Sequence, residues 1–286
     1  MAQTDQPIAF SQSSGSLHKA CWIDFDQARA HVNTLMGLVD EPPDDRPTCV
    51  VLVGQSGMGK TSILKEVGRR IRTAYPEPAN LGEARYLPML HAVVPTHPTS
   101  LRINLALLWK QGWPLTRRTH QIADLKVAEL LGKQGTKLVA IDNVHAILTA
   151  SGRARRDALD SFRFLMSEGN VHMVVAGLDV AADIFSDDVE LAYRSIILRM
   201  PPWLPGEPSQ QLIRALAHRM GLIDPDRFAE PEIAEFIWRN SHGVTGNFKR
   251  LLHRSYRVAK ETDGRQRVEL SDIYEAAKFF PSYIDR

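Results

Sequence analysis

The segment Gly54-Gln55-Ser56-Gly57-Met58-Gly59-Lys60-Thr61 limits what this chain can fold into more than any other. It fits G-x-x-x-x-G-K-[ST], which a random chain of this length contains roughly once in a hundred. The apolar run Cys49-Val50-Val51-Leu52-Val53 precedes it, and a helical pattern from Lys60 to about Tyr75 follows. Strand, glycine-rich turn and helix together form the context in which the pattern has a physical use. The glycines let backbone amides wrap a β-phosphate, and the helix N-terminus adds its positive dipole. Lys60 is expected to reach the β- and γ-phosphate oxygens, and Thr61 to place its hydroxyl on Mg²⁺. The nucleotide-binding stretch runs from Gly54 through Ser62.

Four further apolar runs follow: Tyr86 to Val94, Lys137 to Ile141, His172 to Ala176, and Ser195 to Leu198. Helical patterns separate them, around Ser100–Gln111, Thr119–Lys133 and onward from near Arg155. Short, almost wholly apolar strands alternating with helices predict a parallel sheet covered on both faces. The connector Pro201-Pro202-Trp203-Leu204-Pro205-Gly206 ends this alternation, and only helices are expected beyond it, at about 208–221, 229–240, 245–260 and 271–279. The fold class is therefore α/β: a three-layer P-loop NTPase core with a parallel sheet, followed by a small all-helical lid. The expected division is a mobile tail over 1–20, a helix and connector over 21–47, the core over 48–202 and the lid over 203–286.

A phosphate loop needs a second Mg²⁺ anchor at the tip of a buried strand, where a carboxylate can face the metal. Leu138-Val139-Ala140-Ile141-Asp142 supplies one. Asn143 follows, where related layouts place Glu. An amide can orient water but cannot take its proton, so the expectation is tight nucleotide binding with slow or partner-dependent hydrolysis. His145 is either a substitute base or a loop histidine without chemistry.

Charge narrows the partners. Thirty-five basic against 33 acidic side chains leave a net +2, so any polyanion must be met by a local patch. No apolar run approaches the roughly 18 residues of a membrane helix. The opening residues show no basic and apolar leader, and Cys21 and Cys49 make neither a disulfide framework nor a metal pair. A cytoplasmic protein with reduced thiols and no membrane contact is the expectation.

With these pieces in order, the chain resembles the AAA+ ATPases, and within them the TniB/TnsC group of transposition regulators. The resemblance covers about residues 20–280. It rests on Trp22-Ile23, the phosphate loop, Pro95-Thr96-His97-Pro98-Thr99, Asp142-Asn143-Val144-His145, Val175-Ala176-Gly177, Arg194, Trp203 and Gly243-Val244-Thr245-Gly246-Asn247-Phe248-Lys249-Arg250. It implies an ATPase that assembles as a ring or filament on duplex DNA, then recruits a separate transposase and a target-selection adaptor. It also implies that Arg194 is a finger for the neighbouring subunit's γ-phosphate, although on sequence alone a solvated arginine reads equally well there; Arg199 is the weaker candidate. Lys249 or Arg250 would be the lid cation over the nucleotide, and Asp179 a water sensor where Asn or Thr is common.

DNA contacts would be to phosphates without base readout. Candidates are Arg102, Lys110, Arg117, Arg118 and Lys126 after the second strand, and Arg153, Arg155 and Arg156 in a loop after Asp142; a plain solvated face is the competing reading. Trp109, Trp113, Trp203 and Trp238 are expected to pack rather than stack on bases. Two other functions fit the same residues: a signalling or helper NTPase that acts on protein alone, and an ATP-gated scaffold that does not hydrolyse.

Overall fold

Five of the apolar runs become strands in a computed structural model, which describes residues 22–43, 46–79 and 84–279. They are β1 (Cys49–Gly54), β2 (Met89–Val93), β3 (Leu138–Asp142), β4 (His172–Gly177) and β5 (Ser195–Met200). All are parallel, in the order β2-β3-β4-β1-β5. β1 and β4 are buried along their whole length. Their side chains alternate between two cores, as a strand's two-residue period requires.

Val50, Leu52, Val174 and Ala176 face one core, packed on α1 (Asp26–Asp40) and α2 (Lys60–Ala74). Val51, Val53, Met173 and Val175 face the other. That second core is closed by α3 (Ser100–Gln111), α5 (Ala123–Lys133), α6 (Gly152–Glu168), α7 (Val180–Asp187) and α8 (Val189–Ala192), while the short α4 (Arg117–Gln121) leads into α5 outside it. The three-layer α/β architecture expected from the strand runs is the one present. Cys49 is buried in the second core, where desolvation pushes its thiol pKa up to about 12; Cys21 and the expected mobile tail lie outside the described residues.

Pro201 and Pro202 cannot donate to a ladder, and β5 stops before them. Four α-helices and a short 3₁₀ turn at Pro225–Ala229 follow: α9 (Glu207–Arg219), α10 (Pro231–Ser241), α11 (Thr245–Asp263) and α12 (Leu270–Ala277). They share a core around Phe248, Leu251 and Ile237. Trp203 joins this bundle to the sheet. Its amide donates to Gly243 O at 2.8 Å, its indole to Thr245 Oγ1 at 2.9 Å, and its carbonyl accepts from Trp238 Nε1 at 2.7 Å. Phe25 meets its ring edge-on at 5.2 Å. Gly243 has φ +67°, and a Cβ there would lie 2.3 Å from the Trp203 carbonyl oxygen, so only glycine fits.

Four local expectations differ from the structure. The sheet is not covered throughout: β5 is an edge strand, and Ile196 and Ile197 are exposed on it. The Thr119–Lys133 pattern is two helices, broken where Ile122 leaves helical backbone at φ −130°. Arg153, Arg155 and Arg156 are not in a loop; Ser151 caps α6, and they stand exposed in its first turns. Trp109 is not a packing residue, being 69% exposed. Among the described residues no helix is long and apolar enough to cross a membrane.

Two half-buried histidines tie stability to pH. Burial lowers the pKa of His31 below its ordinary 6.5 although its ring meets the Arg199 carbonyl. Burial also lowers that of His91, opposed by Asp142. Both are neutral in the fold, so below about pH 6.5 the unfolded chain takes up protons first and stability falls. Thermal unfolding should show a midpoint that declines from pH 7 to pH 5.5; a midpoint flat or rising over that interval contradicts the assignment.

Candidate functional site

The carboxyl ends of β1 and β3 flank the end of β4, and the cleft between them opens above it. Gly57 and Gly59 take φ of +85° and +101°, turning the chain after β1 into the loop. α2 begins at Lys60 with Gly59 as its N-cap, so its unpaired amides face the same space. Gly54 is held beneath: a Cβ there would sit 2.6 Å from the Met200 carbonyl oxygen.

Lys60 Nζ donates to Gly54 O at 2.7 Å and to Gln55 O at 2.8 Å, so its ammonium folds back over the loop. Burial lowers its pKa, while Asp142 and Asp179 oppose the shift. Thr61 Oγ1 donates to Asp142 Oδ2 at 2.6 Å, and the Asn143 amide donates to the other carboxylate oxygen at 2.8 Å. A hydroxyl and a carboxylate placed side by side are the hard oxygen donors that suit Mg²⁺. Ser56, Gly57, Lys60, Thr61, Asp142 and Asn143 thus border one cleft of about 560 Å³, together with His145 and Leu178. Asn143 itself is exposed, at φ +59°, a left-handed conformation that Asn tolerates better than Glu.

A second, more apolar cavity of about 240 Å³ continues from this cleft between the loop, the N-terminal segment and the lid. Trp22, Phe25, Met58, Met200, Trp203 and Leu212 line it, with Lys249 at its edge. Arg250 points to solvent instead, so of the two lid cations only Lys249 borders the cavity. The Gly246 amide donates to Gly57 O at 2.9 Å, a direct backbone link from α11 to the phosphate loop. Reading the sequence for chemistry missed this apolar wall, because Trp22, Phe25 and Trp203 carry no reactive group; the apolar residues preceding the α1 helix were the available signal.

Arg194 and Arg199 lie at opposite ends of β5. Arg199 pairs in register with Val53, near the loop, and faces Asp179 at 3.9 Å with both groups more than half exposed. Arg194 precedes the strand, one strand length from the loop, roughly 20 Å at about 3.3 Å per residue. It cannot serve the cleft of its own chain. Its side chain is 18% exposed, with the guanidinium paired with Glu190 at 3.0 Å and donating to Ser167 Oγ at 3.4 Å. Beside it Val189 and Tyr193 are 72% and 89% exposed, around a recess of about 590 Å³.

Of the candidate DNA contacts, Arg102, Lys110, Arg117, Arg118, Arg153 and Arg155 are exposed. Lys126 is not available. Its ammonium sits 4.0 Å from the Trp113 ring and 2.7 Å from Glu129, with a side chain 14% exposed.

The family model described as bacterial TniB protein matches residues 15–205, about two thirds of the chain, which takes in all five strands of the sheet and the residues that border the first cleft. The chain belongs to the TniB family. No curated protein matches it significantly in sequence. In fold this TniB chain is similar to the Aeropyrum pernix ORC2 protein in its ADPNP-ADP complexes, with a TM-score of 0.68 at 16% identity over 91% of this chain and 68% of that one. It is also similar to domain III of the replication initiation protein DnaA from Thermotoga maritima, at a TM-score of 0.57 and 16% identity, covering 91% of this chain and 94% of that domain. A third likeness is to the Aeropyrum pernix ORC1 protein in complex with DNA, at 0.64 and 18%, covering 88% and 64%. These neighbours share an AAA+ P-loop fold with this chain.

Replacing Lys60 by Ala removes the one ammonium that the loop encloses. Calorimetry with ATP and Mg²⁺ should show affinity lowered about 100-fold, the scale of a lost charged hydrogen bond. Asp142→Asn should instead abolish only the increment that Mg²⁺ adds over EDTA. Equal behaviour of both variants and the native chain rules out this division of roles.

Proposed function

We propose that this TniB chain is an ATP-dependent regulator of DNA transposition that assembles on duplex DNA and recruits a transposase, acting in the cytoplasm. The observation that carries the proposal is the Thr61–Asp142 pair beside Lys60, built into a TniB chain. ATP would be held by Gly54 to Ser62 and covered by Lys249, with its base against the apolar wall. Thr61 and Asp142 would hold Mg²⁺, which supplies charge neutralisation at the β- and γ-phosphates. Asn143 offers no base, so hydrolysis is slow or waits for a partner.

Assembly is the second part of the proposal. Arg194 is one strand length from its own loop and stands beside exposed Val189, Tyr193 and Ile196 on an edge strand. A second copy seated there would cover that apolar rim and receive Arg194 at its own γ-phosphate, where a guanidinium fork stabilises charge. The contact repeats from copy to copy and so builds a ring or helical filament.

DNA is the third. Arg153, Arg155 and Arg156 open α6, where the helix dipole disfavours cations, so helix stability gives no reason for them. A phosphate backbone does. Two of the structural neighbours, the Aeropyrum pernix ORC1 protein and Drosophila ORC, are solved with DNA. A transposase and a target-selection adaptor would dock on the assembled state.

Electron microscopy of the protein with random-sequence duplex should show decorated DNA with ATP and bare DNA with ADP. Arg153→Glu with Arg155→Glu should weaken duplex binding at least 10-fold and flatten its salt dependence. Nucleotide binding without any DNA binding would leave the protein-only NTPase reading standing and defeat this one.

A further inference from the structure

The turn after β3 places a second polar side chain in the cleft besides Asn143. His145 follows Asp142 by three residues, within the short 3₁₀ helix Val144–Thr149, and lines the cleft with Lys60, Thr61 and Asp142. Its Nδ1 accepts the backbone N–H of Leu178 at 3.3 Å. Leu178 is the residue immediately after β4, so this bond joins the tips of two adjacent strands. The approach is close. A Cβ on Gly177 would lie 2.9 Å from Ala181 Cβ, 3.0 Å from Val144 Cγ1 and 3.3 Å from the His145 amide nitrogen, so glycine at the end of β4 is what lets the turn that carries His145 come this near.

The bond also decides what the ring can do. A nitrogen that accepts an amide hydrogen carries no proton of its own, so the proton of the neutral imidazole is on Nε2. Protonating Nδ1 would set two N–H groups against each other. The remaining ring nitrogen is therefore a donor, and it belongs to a residue that lines the same cleft as Lys60 and Thr61. A donor cannot act as the base that takes a proton from water. It can hold an anionic oxygen.

We propose that His145 is the residue that distinguishes ATP from ADP, its Nε2–H donating to an oxygen of the γ-phosphoryl group. This rests on the nucleotide reading of the cleft and assigns to His145 a role that Asn143, exposed and turned by its left-handed backbone, does not fill. The Leu178 amide is the positioning group that keeps the donor aimed.

Titration calorimetry of the full chain with ADP and with a non-hydrolysable ATP analogue, each with Mg²⁺, separates the outcomes. His145→Ala should weaken the analogue about 10-fold or more, the scale of one hydrogen bond to a charged group, and leave ADP affinity unchanged. His145→Gln, which keeps an N–H donor, should restore part of the preference. Equal weakening of both nucleotides in both variants would mean that the ring only supports the fold and would overturn the proposal, as would an unaltered ratio in His145→Ala. A native chain that binds ADP and the analogue with equal strength also overturns it while leaving the nucleotide site intact. A native chain that binds neither defeats the underlying site reading as well.

Discussion

The hydrogen bond from Thr61 to Asp142 joins the helix that follows β1 to the tip of β3, and those two strands are not neighbours. β4 lies between those strands, and Thr61 reaches across its end from the first turn of α2. The functional geometry depends on this bridging. It requires three strand tips at one level, which parallel pairing in a single register provides, and it requires buried strands so that the register cannot slip. The apolar character of β1, β3 and β4 is thus a condition of the chemistry as well as of the core.

Charge in the cleft follows the same logic. A lysine and an aspartate are both largely withdrawn from water, and each has partners that make this tolerable: two loop carbonyls for Lys60, a hydroxyl and an amide for Asp142. No direct ion pair ties them to each other. Both remain oriented toward the space between the loop and β3, where a phosphate and a divalent ion would complete their coordination.

Much of this was legible in the sequence, because the features concerned are local. Five strand runs, the loop and the lid helices announce themselves through apolar periodicity and turn residues over a few positions, and all five strands appear where the runs lie. The misreadings have a common source in surfaces. An apolar run cannot say whether a strand is central or an edge, and so Ile196 and Ile197 were expected to be covered. Trp109 and the arginines after Ser151 carry no mark of exposure or of helix boundary that outweighs composition. The apolar wall built by Trp22, Phe25 and Trp203 joins segments separated by most of the chain, and only the fold brings them together. The His145–Leu178 bond is likewise a product of strand order, since nothing near either residue names the other.

One link between the two parts of the molecule has a mechanical meaning. Gly246 is in the first turn of α11, and its amide reaches the carbonyl of Gly57 at the crown of the loop, with Val244 packed against that same glycine. The loop borders the phosphate cleft, and the helix is the longest of the bundle. A rotation of that one peptide plane would either break the bond to Gly246 or carry the first turn of a nineteen-residue helix with it. The seating of the bundle is in this sense tied to the shape of the loop through a single peptide group.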